Sequence, residues 1–136
     1  PWINAENLVT RLRDLELSGV AFRPARFRPE FGKHGGVVCS GVELHLTNRQ
    51  ALESVALGMH LLKTIHDLHP DDFTWRPDPY EFVGDVPALD ILTGSPAARE
   101  CIENGLDFDP LFDSWRISVK DFENRLEGIL LYHGAK

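Results

Sequence analysis

The stretch Phe31–Asn48, F-G-K-H-G-G-V-V-C-S-G-V-E-L-H-L-T-N, decides how this chain folds. Its first half is a loop carrying Gly32, Gly35 and Gly36, where the missing Cβ lets the backbone turn without a steric penalty. Its second half alternates: Val42, Leu44 and Leu46 point one way, and Glu43, His45 and Thr47 the other. That is the period of a strand with one buried face. An acid, an imidazole and a hydroxyl therefore share a strand face beside a loop that carries Lys33 and His34. A polar ligand would meet the chain here. The plainer alternative is a solvated sheet face, which one-sided antiparallel sheets show routinely.

Upstream of this stretch, Val20 to Arg28 reads as a second extended segment, with Val20 and Phe22 on one face and Ala21, Arg23 and Ala25 on the other. Pro24 lacks an N–H, so the segment is an edge strand or leaves the sheet partway. Asn4 caps a helix over residues 5–17, built on Leu8, Leu12 and Leu15, and Ser18-Gly19 ends it. Downstream, Thr47-Asn48-Arg49-Gln50 matches a capping box. It opens a helix to about His69 with Leu52, Val55, Met59, Leu62 and Ile65 as the buried stripe, and Pro70 stops it. Residues 71–94 hold three prolines and several aromatics, an irregular excursion with a short helical turn near Leu89–Leu92. Ser95-Pro96 and Asn104-Gly105 bracket a short helix. Asp109-Pro110 starts a final helix to about Leu131, with Leu111, Trp115, Val119, Phe122, Leu126 and Ile129 as its seam. The class is α+β: a small antiparallel sheet of two strands covered by helices, two of them long. Two strands rarely hold alone, so a third is sought around Asp72–Trp75 or Glu81–Val83.

A chain of 136 residues with 43% apolar and 26% charged side chains is expected to form one domain over residues 1–136. The net charge of −7 argues against nucleic acid as a partner. Its distribution is uneven. Between Arg11 and Arg49 seven basic residues face four acids, and between Asp67 and Asp113 two face twelve. The basic front, with Arg23, Arg26, Arg28 and Lys33, suits an anionic ligand or an acidic neighbour. No apolar run reaches bilayer length, so no membrane span is expected. The apolar opening Pro1-Trp2-Ile3 without an initiator Met reads as a domain cut from something larger.

Few motifs carry chemistry. Cys39 and Cys101 form no CxxC pair, and Cys39 is six positions from His45, roughly 20 Å along a strand, too far for a local Cys–His couple. His60, His66 and His69 do not converge on one helix face as HExxH histidines do. No metal site and no cofactor fingerprint is read. Glu43, Glu81 and Asp90 are the acids that a glycosidase pair would draw on, though spacing does not bring them together. Trp75 and Tyr80 are aromatics suited to stacking on a sugar, or to packing beneath the excursion.

The discontinuous pattern Phe22-Arg23-Pro24, Phe27, Pro29, Phe31, Lys33, Gly36, then Cys39, Gly41-Val42, Leu44-His45-Leu46-Thr47-Asn48 resembles the C-terminal domain of the bacterial exo-β-N-acetylmuramidase family, formerly a domain of unknown function. The opening Pro1-Trp2-Ile3, the stretch Leu89–Gly94 and the terminal Leu130-Leu131-Tyr132 extend the resemblance over nearly the whole chain. The family pattern has Asp where this chain has Asn48, a position assigned here to a helix cap that Asn serves as well. The resemblance implies a parent enzyme, secreted or periplasmic, that removes terminal N-acetylmuramic acid from peptidoglycan fragments. A larger N-terminal Rossmann-like domain would carry the catalytic acid, with the active site between the domains. This chain would be the accessory lobe, inactive alone, with no catalytic residue of its own. Arg23 or Lys33 would hold the lactyl carboxylate, Glu43 and His45 would contact sugar hydroxyls, and Tyr80 would flank the ring. The alternative is a stand-alone glycan-binding or interaction module of the cell wall.

Overall fold

The computed structural model describes residues 1–126 and 129–131. Their order is α1 (Ala5–Asp14), β1 (Val20–Phe27), β2 (Cys39–Leu46), α2 (Ser54–Leu68), α3 (Ala88–Thr93), α4 (Ala97–Glu103) and α5 (Asp109–Leu126). The α+β class expected from the sequence is the one observed. The chain divides into two compact units, Pro1–Ala88 and Leu89–Lys136.

In the first unit, the Asn4 side chain accepts the Asn7 N–H and caps α1 as expected. Leu8, Val9 and Leu12 then form its buried face. The helix stops at Asp14, short of residue 17, and Gly19 turns the chain into β1 at a φ of +78°. Arg13 ties helix to strand by donating from Nη2 to the Phe22 carbonyl at 2.7 Å. β1 and β2 pair antiparallel, with Val20 opposite Leu46, Phe22 opposite Leu44 and Pro24 opposite Val42. Pro24 stays in the strand because a two-stranded sheet is all edge, and its missing N–H removes no interior bond. One sheet face packs on Leu8, Val9, Leu12 and Leu57, with Phe22 in that core and Val20, Val42, Leu61, Ile65 and Leu68 around it.

Three expectations need correction. The helix expected from Thr47 begins at Ser54. Asn48 is the cause: its Oδ1 accepts the N–H groups of Gln50 and Ala51, closing a local turn that competes with a helical start. The Gly19 carbonyl takes the N–H groups of Thr47 and Asn48. The core face of α2 also coincides only in part with the expected stripe, of which Leu52 and Ile65 pack on the core. Leu57, Leu61, Ile65 and Leu68 meet the core, whereas Met59 is buried on the opposite face and Val55 is exposed. Finally, among the described residues neither proposed third strand forms. Tyr80 and Val83 exchange backbone hydrogen bonds of 3.0 and 2.9 Å as a lone bridge.

The second unit is helical. Gly94 and Gly105, both at positive φ, end α3 and α4. Leu89, Ala98, Ile102, Phe108 and Phe112 are buried, and the Phe108 and Phe112 rings stack at 5.2 Å. Arg99 clamps buried Asp90, donating from Nε at 3.0 Å to Oδ1 and from Nη2 at 2.9 Å to Oδ2. The hydrogen bonds that Arg99 donates to Asp90 push the Arg99 pKa further up, so the clamp stays charged. Ser95 does not cap α4, which starts after Pro96. The buried residue of α5 is Phe112, which the expected seam leaves out; of that seam Leu111 and Trp115 are half-buried, while Val119 and Phe122 are exposed. The expected extension to Leu131 crosses residues 127–128, which, like Tyr132, lie outside the described residues.

Gly19 and Gly32 share a positive φ but differ in surroundings. A Cβ at Gly19 would sit 2.4 Å from the Asn48 carbonyl oxygen and 2.8 Å from the Leu52 nitrogen, while one at Gly32 meets nothing within 4 Å. Gly19→Ala is expected to destabilise the protein by more than about 2 kcal/mol in urea unfolding, and Gly32→Ala by about 1 kcal/mol. Equal losses would show that backbone strain alone, not the Gly19 contact, sets the cost.

Candidate functional site

Because the core covers only one face of the hairpin, the residues of the opposite parity stand open to solvent. The register puts Arg23 directly across from Glu43, and Ala21 across from His45. Small Ala21 leaves room beside the imidazole. The Arg23 guanidinium donates from Nε to Glu43 Oε2 at 3.0 Å and from Nη2 to the same oxygen. His45 Nε2 lies 3.7 Å from the other carboxylate oxygen, Oε1. The side chains of Arg23, Glu43 and His45 are 65%, 43% and 49% exposed, so the row is an accessible surface and not a buried network.

Its electrostatics follow from this geometry. The hydrogen bond from Arg23 holds the Glu43 carboxyl below its ordinary value, against an opposing effect of burial. A carboxyl kept ionised accepts hydrogen bonds from hydroxyls but is a poor proton donor at neutral pH. A glycosidic general acid needs the reverse shift. Arg23, for its part, spends Nε and Nη2 on Glu43 and keeps Nη1 for a ligand carboxylate.

Lys33 and Tyr80 lie elsewhere. Lys33 projects from the hairpin loop, which is closed by Gly36 N–H to the Pro29 carbonyl at 2.7 Å. It lines a hollow of about 270 Å³ with Thr74, Trp75, Arg76, Pro77 and Asp78, and none of Arg23, Glu43, His45 or Tyr80 shares that lining. Tyr80 sits at the base of a tight turn whose central residues, Glu81 and Phe82, both have positive φ. Phe82 is fully exposed at the tip, a bulky side chain on a strained backbone that no sequence signal marks. A larger groove of about 600 Å³ runs between the start of α1 and β1, lined by Trp2, Glu6, Ala25, Arg26 and Ser40 among others. The sequence reading missed it, because nothing in a linear pattern brings Trp2 to Arg26.

The histidines have structural partners. His69 Nε2 accepts the Asn4 N–H at 3.3 Å and its ring meets Trp2 edge-on at 5.4 Å. His66 Nδ1 lies 3.0 Å from Asp67 Oδ1. Among the described residues, no three His, Cys, Asp or Glu side chains gather as a metal site would require.

Comparison with known proteins now bears on this surface. The family described as exo-beta-N-acetylmuramidase NamZ, C-terminal, matches residues 1–132. The chain belongs to this family. It is 37% identical over 132 residues to the peptidoglycan beta-N-acetylmuramidase NamZ of Bacillus subtilis strain 168, covering 97% of this chain and 30% of that protein. The fold matches a DUF1343 family protein from Bacteroides fragilis NCTC 9343 with a TM-score of 0.77, at 24% identity, over 97% of this chain and 34% of that one. The chain thus spans about a third of the length of either relative, and this NamZ C-terminal domain presents its polar strand row on a fold the family shares. No described helix is long and apolar enough to cross a membrane.

The lowered Glu43 pKa predicts a pH dependence. The Arg23–Glu43 pair contributes to stability above the ordinary glutamate pKa, and the contribution is lost as pH falls through the lowered Glu43 value. Carbon-detected NMR titration should find Glu43 ionising at lower pH than a free glutamate, and Arg23→Ala should move it back up. An unchanged Glu43 titration in that variant would show that the pair does not hold in solution.

Proposed function

We propose that this chain is the C-terminal lobe of a peptidoglycan exo-β-N-acetylmuramidase and forms one wall of a sugar-binding cleft against an N-terminal Rossmann-like domain. The observation that carries the reading is the exposed Arg23–Glu43–His45 row on a chain of this family. Ionised Glu43 accepts sugar hydroxyls, and His45 donates or accepts beside it. Arg23 exchanges part of its hydrogen bonding from Glu43 to the lactyl carboxylate of N-acetylmuramic acid, whose planar oxygens suit a guanidinium fork. Tyr80 flanks the ring. The proton donor belongs to the other domain, since the one acid in the row is held ionised.

Two features support a neighbouring domain. The matched region is 30% of the Bacillus relative, and the second half of α5 leaves Val119 and Phe122 exposed on the same stripe as buried Phe112. Exposed apolar side chains in register along one helix face suit a covered surface.

A chromogenic β-N-acetylmuramide assay tests the reading. The full-length protein is expected to turn the substrate over and this chain alone is not. In the full-length protein, Arg23→Ala and His45→Ala should each lower kcat/KM about tenfold or more, mostly through KM. Turnover by the chain alone, or unchanged kinetics in both variants, overturns it. Muropeptide binding without turnover in the full-length protein would make this a glycan-binding module instead.

A further inference from the structure

The hairpin loop brings Lys33 against the segment Thr74–Asp78, far along the chain and from a different part of the fold, and the two enclose a hollow of about 270 Å³. Its lining differs from the Arg23 row in one respect that matters for anions. Arg23 is already engaged by Glu43, whereas no carboxylate among the described residues pairs with Lys33. Arg76, the second cation of the hollow, is 3.7 Å from Asp78. The local balance is therefore two cations against one acid, with the Lys33 ammonium uncompensated. Asp78 is mostly exposed, which leaves it free to swing away from an incoming carboxylate.

The indole is held in place. Trp75 meets Phe73 edge-on, with centroids 4.9 Å apart and planes at 90°. Phe73 in turn meets His66 at 5.3 Å and 79°. His66 belongs to α2, so a ladder of three rings anchors the Trp75 plane to a regular helix in an otherwise irregular stretch. An aromatic ring fixed in this way loses little conformational freedom when a ligand stacks on it. The Thr74 hydroxyl adds one donor–acceptor group to the same lining. A fixed indole, a hydroxyl and an unpaired ammonium are the parts needed to hold a sugar ring that carries a carboxylate: stacking on the ring, charge on the acid. The volume suits one substituted ring, just below the ~300–1,000 Å³ of larger ligand pockets.

We infer that the Lys33–Trp75 hollow is a binding site for a carboxylated sugar, separate from the Arg23–Glu43–His45 row. The ligand class rests on the reading of the chain as part of a cell-wall saccharide enzyme. Four residue steps along β1, about 13 Å, separate Arg23 from Phe27, and Lys33 follows in the loop beyond. The hollow therefore takes a second position along a saccharide, not another edge of the same ring. It would favour longer anionic fragments over a single terminal sugar.

Amide NMR of the isotopically labelled chain tests this. The indole N–H of Trp75 is identified as the resonance missing from Trp75→Phe. N-acetylmuramic acid is expected to shift this resonance and the Lys33 amide. N-acetylglucosamine has the same ring without the lactyl acid and should bind about tenfold more weakly. D-lactate, the acid without the ring, should leave both resonances in place. Lys33→Gln, with an otherwise native spectrum, should reduce N-acetylmuramic acid to the affinity of N-acetylglucosamine. No shift with N-acetylmuramic acid, equal binding of the two sugars, equal shifts with D-lactate, or an indifferent Lys33→Gln would each overturn the site. The result is independent of the hydrolysis assay: a full-length protein without muramidase turnover can still show this binding, and an active one can lack it.

Discussion

A two-stranded sheet cannot bury enough surface to stand in water, and the first unit is shaped by that constraint. Leu8, Val9 and Leu12 of α1, with Leu57 of α2, close over Phe22 on one face of the hairpin. With both helices committed to that face, the other is left open. The alternation of side chains along β1 and β2 then sorts residues by parity alone. Arg23, Glu43 and His45 point away from the face on which Phe22 is buried and Val20 and Val42 are half-buried. The proposed sugar wall is thus the consequence of how a small hairpin obtains its core.

The open face is polarised by one cross-strand pair. Opposite residues in an antiparallel ladder bring their side chains close enough to interact strongly, and here that proximity binds Arg23 to Glu43. The pairing has two effects. It keeps Glu43 ionised, suited to accepting hydroxyls and unsuited to protonating a leaving group. It also reduces what Arg23 can offer an anion. Among the described residues no carboxylate pairs with Lys33, in the loop that joins the strands.

Order in the proline-rich excursion comes from rings. His66, Phe73 and Trp75 meet edge-on in sequence, and His69 pairs with Trp2 while accepting the Asn4 N–H. Histidines that a linear reading weighs as metal ligands are here fasteners, one between α2 and the excursion and one between α2 and the start of α1. Trp75, the last ring of that series, also lines the Lys33 hollow.

Local signals were legible where one choice dominated. The strand through Val42–Leu46, the Asn4 cap, the Asn104-Gly105 stop and the short turn near Leu89–Leu92 all act within a few residues, and the structure has each of them, although burial along β2 does not alternate: Leu44 and Leu46 are exposed along with His45. The extended motif from Phe22 to Asn48 carried the family. Tertiary structure decided wherever the sequence offered two equivalent answers. α2 is apolar on two faces, and packing selected Leu57, Leu61, Ile65 and Leu68 over the stripe through Val55 and Met59. Thr47-x-x-Gln50 has the form of a cap, yet the Asn48 side chain and the Gly19 carbonyl claimed those N–H groups first. Of the five residues singled out for ligand contact, Arg23, Glu43 and His45 converge, because strand register relates them. Lys33 instead meets Trp75, because loops are placed by long-range contacts that have no period in the chain.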